Sequence, residues 1–232
     1  MLTIPNGYLK FSGFLLLLGG LMGFTGQLIH LEDMPASVKD IPEFLKGAVN
    51  IHVLLAYAST FILMGLPAVY LRQASGLKWW GWVSFPLLFI GLMLEIFHGP
   101  VQIMAYPIIF DFVHTAADLK HVGELFNNMA IDQYPLQLAV FIPLIPGIFL
   151  GLILLGIATL RAKVLPKAPA IFIFIVMVIQ IVGMVVPVHI HLLEISFAYI
   201  HLIFVWIGAL MAFGKINAPV QKVNTDSVIV KS

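Results

Sequence analysis

The chain of 232 residues contains no cysteine. It therefore has no disulfide, no thiolate metal ligand and no thiol nucleophile, and any bound metal must be held by nitrogen and oxygen. Charged residues are also scarce, at 10% of the chain, and the formal net charge is only +1. Because this small charge is spread over short loops, we expect no nucleic-acid partner.

Several catalytic motifs are missing as well. There is no Walker-type glycine loop and no dinucleotide fingerprint, so we expect neither nucleotide binding nor nucleotide-driven transport. A Gly-x-Ser-x-Gly elbow and a His-Glu-x-x-His helix are also absent, and the usual parts for serine hydrolysis and zincin proteolysis are therefore lacking.

Apolar residues, in contrast, make up 61% of the chain, and the mean hydropathy is +1.04. A soluble fold would expose large apolar areas at this composition, which indicates that the solvent is lipid. Each of six apolar runs is long enough to cross a bilayer core about 30 Å thick. The runs cover residues 8–29, 47–71, 79–99, 135–160, 168–188 and 192–214. The sequence thus predicts an all-α integral membrane protein with six transmembrane helices.

The basic residues predict the orientation of these helices. In a six-helix threading, one side carries nine of them, at Lys10, Arg72, Lys78, Arg161, Lys163, Lys167, Lys215, Lys222 and Lys231. By the positive-inside rule this side is cytoplasmic, as are both termini, and the membrane is the cell membrane. Connections 72–78 and 161–167 are short, which favours an up-and-down bundle. We expect a transmembrane domain over residues 1–214 and a mobile cytoplasmic tail over 215–232.

The long outer connection between the third and fourth helices predicts an amphipathic helix at the membrane interface. Its apolar residues recur at steps of three and four, at Val113, Ala117, Leu119, Val122, Phe126 and Met129. The third helix either ends near Gly99 or continues through a kink at Pro100 to about residue 112. His114, Asp118 and His121 share one face of the connection, and we interpret that face as solvated.

Titratable residues in the helices carry the functional prediction. All eight histidines lie in the outer half of the threading or in its outer loops, at His30, His52, His98, His114, His121, His189, His191 and His201. Glu95 and His98 are three residues apart, and so share a helix face. His191, Glu194 and His201 form a similar stripe on the sixth helix. Such groups inside a membrane face the bundle interior and often mark a functional site.

Imidazole and carboxylate together suit a metal ion, most readily iron or zinc. We therefore predict a metal centre that opens to the outer, histidine-rich face, with redox chemistry as one option. The predicted ligands are His52, Glu95, His98, His191, Glu194 and His201. Glu95 and Glu194 are also the candidates for proton transfer beside the metal.

Two other functions are compatible with the same residues. One is a b-type membrane cytochrome with a single haem, held by axial ligands from His52, His98 and His201. The other is a non-catalytic sensor, chaperone or immunity protein whose His/Glu network is structural or titrates with outside pH. The lipid bilayer is the expected partner in every case. A membrane-protein partner and a homo-oligomer are left open, as is enzymatic activity.

Overall fold

The structure, a computed structural model, describes residues 4–30, 34–127, 135–185 and 195–214. Within these ranges all regular secondary structure is helical. The α-helices are α1 (Asn6–Leu28), α2 (Ile41–Gln73), α3 (Trp79–Pro100), α4 (Tyr106–Phe110), α5 (Ala116–Asn127), α6 (Leu138–Ala162), α7 (Lys167–Val185) and α8 (Ser196–Phe213). The predicted tail at 215–232 lies outside the described residues.

The predicted all-helical membrane fold is confirmed. The described part of the chain has five segments long and apolar enough to cross a membrane, namely Asn6–Leu28, Val38–Gln73, Trp79–Phe110, Ile142–Ala162 and Ser196–Phe213. The remaining predicted span, residues 168–188, corresponds to α7, whose apolar stretch Lys167–Gly183 is shorter. Six membrane crossings and the cytoplasmic termini therefore stay predictions.

The long apolar helices pack as a closed ring. Along the chain, α1 contacts α2, α2 contacts α3, α3 contacts α6, α6 contacts α7 and α7 contacts α8, while α8 returns to contact α1. Each of these helices thus lies beside its neighbours in sequence. The ring encloses an interior in which side chains from several helices meet.

Glycines let α1 approach both of its neighbours closely. A β-carbon at Gly19 would lie 2.6 Å from the Ala58 carbonyl oxygen in α2, and one at Gly20 would lie 2.7 Å from the Val205 nitrogen in α8. Gly23 also faces α8. The Gly19 and Gly23 pair, which resembles one small-xxx-small motif in the sequence, therefore serves two different helix contacts.

The helix after Trp79 continues past Pro100. A π-helical turn, Val101–Ala105, joins α3 to α4 and thereby carries the chain on to Phe110. Proline lacks the amide hydrogen that an α-helix needs, and a π turn is one way to accommodate the lost bond. Of the two alternatives that the sequence left open, the structure shows the one in which the third helix runs on rather than ending near Gly99.

The predicted amphipathic helix is present as α5. It packs on the ends of α2 and α4, with the rings of Phe126 and Tyr106 stacked at a centroid distance of 5.3 Å. Val122 joins the same apolar cluster, together with Phe44 and Phe110. Since α2 has 33 residues, it is about 50 Å long, and this end extends past a 30 Å bilayer core. The position of α5 at a membrane interface stays a prediction.

Candidate ligand cavity

A cavity of about 360 Å³ lies inside the ring, between α1, α2, α3, α6 and α8. Its lining residues are Gln27, His30, His52, Leu55, Ala56, Leu92, Glu95, Gly99, Leu144, Ile145, Ile148, Phe197, Ile200 and His201. Aliphatic and aromatic side chains form most of the wall. Cavities of this volume, with apolar walls and a few polar groups, are typical of sites for small molecules.

Two histidines meet at one side of the cavity. The Nε2 atoms of His30 and His52 lie 3.2 Å apart, and the two rings are nearly perpendicular, at 75°. Nδ1 of His52 lies 2.8 Å from the Ala48 carbonyl oxygen. Because a carbonyl oxygen only accepts, Nδ1 donates this hydrogen bond, and Nε2 is the ring nitrogen that faces His30.

Glu95 enters the cavity from α3. Its Oε2 accepts a hydrogen bond of 2.9 Å from the hydroxyl of Ser59 in α2, a residue with no exposed surface. A carboxyl group in an apolar bundle needs such partners because burial of an unpaired polar group is costly. Ser59 therefore fixes the position of Glu95 at the cavity wall.

His201 enters from α8 and lies against the backbone of α1. Its side chain is only 4% exposed, and a β-carbon at Gly23 would overlap the imidazole ring. Nδ1 of His201 makes no hydrogen bond within the described part of the structure. The ring is thus held mainly by packing.

The polar groups lie at successive depths in the ring. His201 is about 18 Å from the end of α8 at Phe213, and Glu95 is about 24 Å from the start of α3 at Trp79. His52 is about 30 Å from the end of α2 at Gln73. Counted from these helix ends, His201 is therefore the deepest of the three polar groups, and His52 is the farthest out.

The structure brings three of the six predicted metal ligands to one cavity, namely His52, Glu95 and His201. The side chain of His98 and all of His191 and Glu194 lie outside the described residues. Among the residues that are described, no three His, Asp or Glu side chains are grouped closely enough to hold a metal ion. The metal and haem assignments accordingly stay predictions.

Within the stripe of His114, Asp118 and His121, the Asp118 side chain makes hydrogen bonds at the start of α5. Its carboxylate accepts hydrogen bonds from the backbone amides of Thr115, at 2.8 Å, and His114, at 3.1 Å. The Thr115 hydroxyl in turn accepts from the Asp118 amide. This reciprocal arrangement caps the start of α5. Hydrogen bonds from Thr115, and then from the His114 amide, hold the pKa of Asp118 below its ordinary value.

Three residues at the cavity, His30, Ser59 and Gln27, were not predicted as site residues from the sequence. His30 follows the last turn of α1. At a hydrated helix end a histidine needs no functional explanation, and no sequence spacing relates His30 to His52. Ser59 and Gln27 are neutral residues without a distinctive motif. His52 and Ser59 are seven residues apart in α2 and therefore lie on one face of that helix. This spacing is the one signal in the sequence that could have identified Ser59.

Comparison with known proteins gave no match: no protein-family model fits the chain, and no curated protein or solved structure is significantly similar to it.

Proposed function

We propose that the chain is an integral membrane metalloprotein in which His30 and His52 hold a metal ion at the outer side of a ligand cavity. In this proposal α1, α2, α3, α6, α7 and α8 cross the membrane. The 19 residues of α7 give it a length of about 28 Å, close to the thickness of the bilayer core. Both termini are cytoplasmic, and the histidines face outside.

The observation that carries the proposal is the 3.2 Å distance between the two Nε2 atoms. Imidazole nitrogens bind zinc at about 2.0–2.1 Å in tetrahedral geometry, which places two such nitrogens roughly 3.3 Å apart. The His30 and His52 nitrogens already have nearly this separation. Little movement is needed for both to bind one ion.

The surroundings of His52 support the same role. Metal-binding histidines commonly donate their second ring nitrogen to a backbone carbonyl, which fixes the ring and its tautomer. The Nδ1 contact of His52 with Ala48 is of this kind. Nε2 is then the nitrogen that faces His30.

Further ligands would come from the predicted set. Glu95 lines the same cavity and can supply a carboxylate oxygen, and His98 is the third imidazole in our proposal. Nitrogen and oxygen ligands favour iron or zinc. In this arrangement Glu95 is also placed to exchange a proton with a ligand in the cavity.

His201 has a different role in the proposal from the one predicted. It lines the cavity from α8, a helix that does not contribute to the histidine pair. We infer that its ring contacts the bound molecule rather than the metal. With mostly apolar walls, the cavity favours a small, largely apolar molecule with one polar group.

Elemental analysis of the purified protein tests the metal site. Wild type, His30→Ala, His52→Ala and the control His121→Ala, which alters an exposed histidine of α5, are measured side by side for iron, zinc, copper and manganese. We expect near-stoichiometric metal in wild type and in His121→Ala. The other two variants should lose most of their metal, because removal of a ligand should weaken metal affinity at least tenfold. An absorption spectrum of the same samples distinguishes haem from non-haem iron. A folded wild type without metal would support a direct imidazole hydrogen bond, as in a structural or pH-sensing network.

A further inference from the structure

The end of the bundle opposite the cavity brings two turns into direct contact. One turn joins α2 to α3 and the other joins α6 to α7. A β-carbon at Gly76 in the first turn would lie 2.5 Å from the Ala162 carbonyl oxygen at the second. In addition, the guanidinium carbon of Arg161 lies 5.4 Å from the ring centroid of Trp80. The two turns therefore form one surface.

This surface is basic and lacks acidic residues. Its cations are Arg72, Lys78, Arg161, Lys163 and Lys167. Within the described ranges, the acidic residues are Asp40, Glu43, Glu95, Asp111, Asp118 and Glu124, and none is on either turn. The only ion pair found among the described residues, Lys120 with Glu124, is in α5. Among the residues that the structure describes, no carboxylate therefore forms an ion pair with Arg161 or Lys163.

The positive-inside rule explains why cations occur at this end of the bundle, but it does not explain the conformations of Arg161 and Lys163. Arg161 is exposed and stacked on Trp80, and stacking leaves the edges of a guanidinium available for bidentate contact with phosphate. Lys163 has a φ of 56°, a left-handed conformation in which glycine is favoured at helix ends. This conformation is sterically less favourable for lysine than for glycine, which indicates that the lysine side chain has a function at this position.

We propose that the two turns bind the phosphate headgroup of an anionic phospholipid through Arg161 and Lys163. Trp79, which is 79% exposed, begins the adjacent helix and supplies an apolar surface for the acyl chains. Tryptophan is common at this level of a membrane because one end of its ring is apolar and the other polar. Basic pockets between membrane helices bind such headgroups by charge and by hydrogen bonds. This site is independent of the proposed metal centre.

Native mass spectrometry of the full chain in detergent tests this proposal. The probes are cardiolipin, which carries two phosphates, phosphatidylcholine, which has no net charge, and inorganic pyrophosphate as a lipid-free polyanion. The variants are Arg161→Gln, Lys163→Gly and the control Lys120→Gln in α5. We expect wild type to bind cardiolipin more tightly than phosphatidylcholine, and each of the first two variants to lose about fivefold in cardiolipin affinity, with no change in Lys120→Gln.

Lys163→Gly keeps the test valid if Arg161→Gln affects folding. This substitution relieves the left-handed strain, so its melting temperature is expected to equal or exceed that of wild type. A loss of cardiolipin affinity in a variant of undiminished stability supports the proposal. Unchanged affinity in Lys163→Gly, or an equal loss in Lys120→Gln, would overturn it. Binding of pyrophosphate as tight as that of cardiolipin would overturn the assignment to a lipid.

Discussion

The imidazole ring of His201 rests on the Cα of Gly23, so α8 and α1 meet at the cavity with no other side chain between them. The ring fills the space that any larger residue at position 23 would need. Gly23 thus contributes to the close approach of the two helices and leaves room for the His201 ring at the cavity.

Gly23→Ala is expected to destabilise the protein by about 1–3 kcal/mol, because the new methyl group overlaps the His201 ring and forces the helices apart. Thermal unfolding in detergent, followed by circular dichroism, measures the change. The matched control is Gly7→Ala in the same helix, where a β-carbon would have no neighbour within 4 Å and no loss is expected.

A double variant checks the cause of that destabilisation. Adding His201→Ala to Gly23→Ala removes the overlapping ring, so the two substitutions together should cost less than the sum of their separate effects. Strict additivity would contradict the contact as the cause.

Ser59→Ala is expected to cost about 1–3 kcal/mol, since it removes the buried hydroxyl that donates to the partly buried Glu95 carboxyl group. Ser12→Ala is the matched control, because the buried Ser12 hydroxyl has no hydrogen-bond partner in the described part of the chain. It should be neutral or stabilising. The free energy of unfolding is compared for both. If the two variants behave alike, or if Ser59→Ala costs as much in a Glu95→Leu background, the hydrogen bond does not position Glu95.

The cap of α5 gives the protein a pH-dependent segment. The pKa of Asp118 is lower in the folded protein than its ordinary value of about 3.9, chiefly through hydrogen bonds from Thr115. A lowered folded pKa means that the stabilising effect is complete above the ordinary value and is lost as the pH falls through the folded value. Hydrogen exchange of α5, corrected for intrinsic rates, should show protection that decreases below about pH 4.

Asp118→Asn supplies the control for this pH dependence. The variant should already have lower protection at neutral pH, because an amide accepts these bonds less strongly than a carboxylate. It should also lack the acid-dependent step. Parallel pH profiles for the two proteins would assign the step to another group.

The sequence predicted the helical class and most helix positions because hydropathy alone determines which segments enter lipid. It also identified α5, where Val122 and Phe126 recur on one face. It placed the start of the second helix too late: α2 begins at Ile41, inside the predicted connection. Glu43 and Lys46 lower the hydropathy of that first part, although they do not prevent a helix that extends beyond the bilayer.

The candidate site was predicted only in part. His52, Glu95 and His201 line one cavity, as expected because titratable groups in membrane helices tend to face the interior, while their predicted role as metal ligands stays a prediction. The pairing of His30 with His52 was not predictable, because it depends on how the end of α1 packs against α2. That packing is determined by glycine contacts such as Gly26 with Leu55, whose partner helix cannot be identified from spacing alone.

The most direct test of the proposed metal centre is X-ray absorption at the edge of the bound metal, which counts imidazole ligands and measures their distances. The proposal predicts at least two imidazole nitrogens at about 2.0–2.1 Å in wild type and one fewer in His30→Ala at the same metal loading. A spectrum without imidazole ligands, or an imidazole count unchanged in His30→Ala, would contradict the assignment of the His30 and His52 pair as the metal site.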